Sequence, residues 1–166
     1  TLSASSAASD VYKRQALIVL IIGLFFRSTT FGFLSSFPNI LPIVSAFGVW
    51  AILNGQVGFM VAVGMGSTLG IIVDFTVHLL SKYDLARREM KKSPEESIFF
   101  AFEAVGFALL AMTVILAIGF SVLHINSFLP LHDFAQFSII AFVLALLIDF
   151  FFFPNLLVRF DKRKFD

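Results

Sequence analysis

Two carboxylates, Asp74 and Asp149, stand inside long apolar stretches of this 166-residue chain. An ionisable side chain is costly to keep there, which makes each a functional candidate. A carboxylic acid in such a place can bind and release a proton as its surroundings open and close: desolvation favours the neutral acid, whereas donors or water favour the carboxylate. Asp74 lies eight residues before Lys82, roughly 12 Å along a helix, and Asp149 lies ten before Arg159, roughly 15 Å. Thr113, ten residues beyond Glu103, reaches a similar depth of roughly 15 Å by the same rise. The spacing predicts a polar layer in mid-bilayer shared by three helices. His78 follows Asp74 by one helical turn, on the same face, where it can pair with the acid or relay its proton. Gly66, Gly70 and Ser67, with Gly64, offer a small-residue surface for close helix approach. The plainer reading makes Asp74 a packing carboxylate held by the hydroxyls of Ser67, Thr68 or Thr113, and sets Asp149 beside a carbonyl loosened by Pro154.

The elements that must position these groups are helices in a bilayer. Hydrophobic residues make up 58% of the chain and charged ones 14%, with a mean hydropathy of +0.94, whereas soluble domains carry about 25% charge. Five apolar stretches follow one another: Ala16 to Phe26, Phe37 to Leu53, Val57 to Leu80, Ala104 to Leu123 and Phe134 to Val158. They are continuously apolar rather than alternating, which selects helices over a barrel. The expected fold is therefore an all-α polytopic transmembrane bundle of about five spans, with the lipid bilayer as its first partner. A net charge of +1 gives no case for nucleic acid. The absence of Cys removes disulfides, thiolate metal sites and Cys nucleophiles. His124, His132 and Asp133 lack diagnostic metal-ligand spacing and read as interfacial polar residues.

Lys and Arg place the loops. Arg27, then Lys82, Arg87, Arg88, Lys91 and Lys92, then Arg159, Lys162, Arg163 and Lys164 fall on one side of the spans. The connections around Asn54 to Gln56 and His124 to Asp133 carry none, so the basic side is assigned to the cytoplasm. Residues 81–103 form a helical cytoplasmic connection, in which Ser93-Pro94-Glu95-Glu96 reads as a helix start. Residues 161–166 read as a basic cytoplasmic tail. The Ser/Ala-rich residues 1–15 end in SDVYKRQ, which resembles translated sequencing-adapter read-through, and they are expected to be foreign to the fold.

A family resemblance enters at Gly70-Ile71-Ile72-Val73-Asp74-Phe75-Thr76-Val77-His78. The segment resembles the GxxxD-(Tyr/Phe/Asp)-xx-His element of the resistance-nodulation-division superfamily, in its branch of lipid exporters and sterol-sensing-domain relatives. Phe37-Pro38-Asn39-Ile40-Leu41-Pro42 resembles that branch's Pro-Asn-x-x-Pro helix start. Ala104-Val105-Gly106 with Thr113 and Gly119-Phe120 resembles the next-to-last span, and Asp149-Phe150 with Pro154 the last. The resemblance implies the second membrane half of a twelve-span, proton-driven exporter of lipidic or hydrophobic substrates in a bacterial inner membrane. Its coupling ion would be the proton, with no other cofactor, and Asp74 would bind it. The partners implied are the first half and the periplasmic domains of the same protein, and self-association into a homo-oligomer stays open. Phe75 stands where many relatives carry Tyr or a second Asp, so no relay through that position is expected. A lipid-sensing domain without pumping shares the architecture. An intramembrane aspartyl protease is disfavoured because Gly70 to Asp74 reads GIIVD, not Gly-x-Gly-Asp.

Overall fold

The computed structural model describes residues 13, 15–24, 26, 29–125 and 129–161. The expectation for residues 1–15 falls almost wholly outside them. All regular structure among the described residues is helical. It comprises α1 (Gln15–Leu24), α2 (Thr29–Leu34), α3 (Ser36–Asn54), α4 (Phe59–Arg88), α5 (Pro94–Ala101), α6 (Phe107–His124), α7 (Leu129–Leu147) and α8 (Phe153–Phe160). A π-helical turn at Phe102–Gly106 joins α5 to α6, and another at Ile148–Phe152 joins α7 to α8. Among the described residues, four helices are long and apolar enough to cross a membrane, Thr30–Asn54, Phe59–Arg88, Pro94–Leu123 and Pro130–Phe160. The chain is a multi-pass membrane bundle. The first apolar stretch is the exception, since the described part of α1, Gln15–Leu24, is shorter than the roughly 20 residues a crossing needs.

Close approach of α1 to α2 depends on Gly32, where an added Cβ would lie 2.6 Å from the Val19 carbonyl oxygen and 3.0 Å from the Gly23 Cα. Ser35, whose hydroxyl donates to the Gly32 carbonyl at 2.7 Å, carries the chain into α3. That helix ends at Gly55, which adopts φ +70° and donates its N–H to the Ala51 carbonyl, a left-handed stop that favours glycine. The Trp50 indole N–H then ties the loop by donating to the Gln56 carbonyl at 2.8 Å.

Helix α4 has 30 residues, about 45 Å at 1.5 Å per residue. It outruns the hydrocarbon, so its charged end from Lys82 to Arg88 stands beyond the apolar core. Helix α5 opens on a capping box: the Ser93 hydroxyl accepts from the Glu96 N–H at 3.2 Å, and the Ser93 N–H donates to Glu96 Oε2 at 2.9 Å. Two orphan donors of the first turn are thereby satisfied reciprocally. The Ser93 backbone N–H, then its side chain, hold the exposed Glu96 carboxyl below the ordinary value of 4.5. A depressed folded value means the cap's contribution is complete above 4.5 and is lost as pH falls through the lower folded value. The expected result is a Glu96 carboxyl that titrates by NMR below ordinary glutamates, together with the amides of the first turn of α5. A midpoint at the ordinary value would show that the cap does not form in solution.

Both π turns answer the same packing problem. The buried residues Ala145, Asp149, Phe153 and Leu157 recur every four positions, which overshoots the 3.6 residues of an α-turn. On an unbroken α-helix this stripe would drift around the axis. The wider turn at Ile148–Phe152 absorbs the surplus, and it lies where Pro154 denies an N–H to the Phe150 carbonyl. Ser97, Ala101, Leu109 and Thr113, also buried, hold the same four-residue register across the turn at Phe102–Gly106. The two turns meet through the rings of Phe102 and Phe150, edge to face at 5.1 Å.

Helix α7 lies at the centre, packed against α3, α4 and α6. Phe137 packs on Phe47 and Trp50 of α3. It also comes close to Gly64 of α4, where an added Cβ would stand 3.3 Å from its ring. At the basic end, Asp161 accepts from the Tyr83 hydroxyl at 2.9 Å and from Arg87 Nε at 3.0 Å. The Arg87 guanidinium also donates to the Lys92 carbonyl. Asp161 is the first residue of the basic cytoplasmic tail expected over 161–166, and its side chain is buried. It is a buried acceptor that fastens the end of α8 to the end of α4, and residues 162–166 lie outside the described residues.

Candidate functional site

Two groups of polar residues lie on opposite sides of α4. On the outer side, Val63, Ser67, Gly70, Asp74 and His78 recur at helical spacing and are all exposed, forming one stripe along the bundle's flank. Nothing lies within 4 Å of a Cβ added at Gly70, and the Ser67 hydroxyl is turned back to the Val63 carbonyl at 3.1 Å. Gly66, beside the stripe, is half-buried. The glycine that allows close packing inside the bundle is instead Gly64, against Phe134 and Phe137.

Asp74 and His78 face each other on that stripe, Oδ1 to Nε2 at 3.5 Å, with side chains 53% and 52% exposed. The acid's partner is thus an imidazole on its own helix and not a hydroxyl of Ser67, Thr68 or Thr113. Thr68 donates to the Gly64 carbonyl at 2.7 Å. The Thr113 hydroxyl, buried in α6, donates to the Leu109 carbonyl at 2.9 Å.

On the inner side, Asn39 of α3, Thr76 of α4 and Asp149 of the second π turn are all fully buried. Thr76 Oγ1 stands 3.0 Å from Asn39 Oδ1 and 3.3 Å from Asp149 Oδ1. Asn39 Nδ2 and Asp149 Oδ2 have no hydrogen-bond partner. A buried polar atom without a partner is costly, which marks the cluster as more than packing.

The single polar layer anticipated from depth is therefore split. Asp74 pairs with His78, Asp149 with Thr76, and Thr113 with its own helix. Depth along the axis was a sound comparison, but it ignores rotation. Asp74 and Thr76 are two residues apart, about 200° around a helix, so when one faces the core the other faces out. That same count would have exposed Thr76 as the inward polar residue. Asn39, in the first turns of α3, carries no sequence signal beyond its place in a proline-flanked helix start.

No protein-family model matches this sequence, and no curated protein matches it.

Proposed function

We propose that this chain is the membrane core of a proton-driven exporter of lipidic or hydrophobic substrates, with Asp74 as the group that loads and releases the coupling proton. The observation that carries the reading is the outer stripe of α4. It sets a carboxylate and an imidazole side by side, half-exposed, on a helix otherwise built for lipid. Facing hydrocarbon, that pair would be expensive, and intramembrane ionisable groups turn to protein or to water-filled cavities. The small residues Ser67 and Gly70, next to Asp74 on the same face, suit the approach of another helix. In this reading the stripe meets the other membrane half of the transporter, and the seam between the halves is where water reaches Asp74. His78 then supplies the second titratable group, and motion at the seam alternately wets and dries the pair, which shifts the acid between its charged and neutral forms.

The resemblance of Gly70 to His78 to the superfamily's proton-binding element supports the same role. The one-sided Lys and Arg distribution supports a cytoplasmic α4–α5 junction and carboxyl terminus in a bacterial inner membrane. The chemistry needed is proton exchange and movement, with no covalent step on a substrate. Full-length protein in proteoliposomes should move a fluorescent lipid analogue when a proton gradient is imposed and stop when a protonophore collapses it. Transfer that is indifferent to the gradient, or no transfer with lipid binding retained, would favour a lipid-sensing domain instead.

A further inference from the structure

The inner cluster contains more acceptors than its hydroxyl can serve. Thr76 Oγ1 has Asn39 Oδ1 at 3.0 Å, Asp149 Oδ1 at 3.3 Å and the Ile72 carbonyl of its own helix at 3.4 Å. A hydroxyl carries one proton and can donate to one of them, though it can also accept. With Asp149 ionised and Asn39 presenting its oxygen, two acceptors would confront one donor inside a fully buried site, and one contact would be repulsive. One added proton resolves this. If Asp149 is a neutral acid, its O–H donates to Thr76, and Thr76 donates to Asn39 Oδ1.

A second arrangement serves the Thr76 hydroxyl equally well. The two ends of an asparagine amide are interchangeable in shape. Turned over, Asn39 donates from Nδ2 to Thr76 Oγ1, and Thr76 donates to an ionised Asp149. The chain then runs in the opposite direction with the same three residues in contact. We infer that Asn39, Thr76 and Asp149 form a proton-binding chain whose hydrogen bonds reverse direction when Asp149 gains or loses a proton. One proton from water converts the carboxylate to the neutral acid, the Thr76 hydroxyl swings from Asp149 to Asn39, and the Asn39 amide rotates. Asp149 takes the proton, while Thr76 and Asn39 are positioning residues that register its charge.

Among the described residues, no charged side chain other than Asp149 itself makes a hydrogen bond or ion pair within this cluster. On α7, which packs against the π turn, His132 and Asp133 pair with each other near the helix start, sixteen or more positions before Asp149. Helix α3, Ser36–Asn54, has no ionisable side chain. On α4, Asp74 and His78 pair with each other on the outer face, and Tyr83 and Arg87 are engaged by Asp161. From the first π turn, Phe102 reaches Phe150, while Glu103 is exposed. On α8, Arg159 is exposed at the basic end. Asp149 is thus answered by two neutral side chains, and its charge state can be passed on only through them. The setting also favours movement. Asp149 lies in the second π turn, which contacts the first through Phe150 and Phe102, and such turns loosen the helical ladder where they occur. Reversal of the chain would alter how α3, α4 and the last span hold together, a second proton-sensitive element behind the outer pair.

This inference deepens the exporter reading and rests on it only for the link between the chain and transport. Its test reads the proton directly. Infrared difference spectra of the purified protein in lipid, taken across a pH step, should contain the carbonyl stretch of a protonated carboxylic acid that disappears in Asp149→Asn. In Thr76→Val the acid's O–H loses its acceptor, so the band should persist and move to higher frequency. Thr76→Ser, which keeps the hydroxyl, should restore its position. The Asn39 amide band should shift in the same step in the wild type and stay still in Asp149→Asn. Absence of any band assignable to Asp149 would overturn the inference, as would a band indifferent to Thr76→Val. A band that behaves as expected in a protein without proton-driven export would leave the chain standing and remove the exporter reading.

Discussion

On the exporter reading, Asp74→Asn should reduce proton-driven export to the rate without a gradient, while the protein inserts and accumulates normally. The structure makes this substitution unusually clean. The Asp74 side chain is half-exposed on the bundle's flank and contacts His78 through one oxygen, so an amide of the same shape opens no cavity and strands no buried partner. Reasons for a folding defect, such as cavity formation or an orphaned buried charge, are missing at this position. What disappears is titration. His78→Gln, which keeps a polar side chain one turn away, should retain export, because it removes only the 3.5 Å contact and leaves the carboxyl in place. Export and protein level are measured in the same vesicles. If Asp74→Asn exports at the normal rate with the gradient imposed, Asp74 is a surface packing residue and the lipid-sensing reading replaces the transport one.

How much of this was legible in the sequence depends on what the physics of each feature requires. Span-length apolar runs in a chain with so little charge admit few alternatives to a helical membrane bundle, and the helix start at Ser93-Pro94-Glu95-Glu96 is written in consecutive residues because a cap is a local device. The candidacy of Asp74 and Asp149 was equally plain, since cost alone singles out an acid within a span. Their separation was not. It depends on helical phase, and the phase of Asp149 is set by a π turn whose single widened turn leaves no sequence mark beyond the nearby Pro154. Asn39 is 110 positions from Asp149, and only the packing of α3 and α4 on the last span brings the two to one hydroxyl. Asp161 was hidden for a related reason. Followed by Lys162, Arg163 and Lys164, it reads as tail, and nothing local announces that Tyr83 and Arg87 will bury it.

That buried junction gives the largest expected loss of stability. The Arg87 and Asp161 side chains are 7% and 1% exposed, and Arg87 serves two structures at once: its Nε reaches Asp161 on the last helix, and its Nη1 reaches the Lys92 carbonyl in the turn after α4. The turn needs such a tie. Lys91 holds φ +52°, an uncommon conformation for a non-glycine residue, and the Lys92 N–H closes it by donating to the Ala86 carbonyl at 3.1 Å. Arg87→Ala takes the guanidinium away from the buried Asp161 carboxylate and should cost about 3–5 kcal/mol. Arg87→Lys should recover little, because a flexible ammonium cannot bridge two acceptors set for a planar fork. Tyr83→Phe removes one bond to a charged acceptor and should cost about 1.5–3 kcal/mol. Thermal unfolding in detergent, followed by the fluorescence of Trp50, checks the order: Arg87→Ala lowest, Tyr83→Phe between it and the wild type. The double variant Arg87→Ala with Asp161→Ala decides the cause. Removing the acid as well should return part of the lost stability, since much of the single variant's penalty lies in a buried carboxylate that has lost its guanidinium. If the double variant is less stable than Arg87→Ala alone, the junction is held by packing around these side chains, and the ion pair is incidental to it.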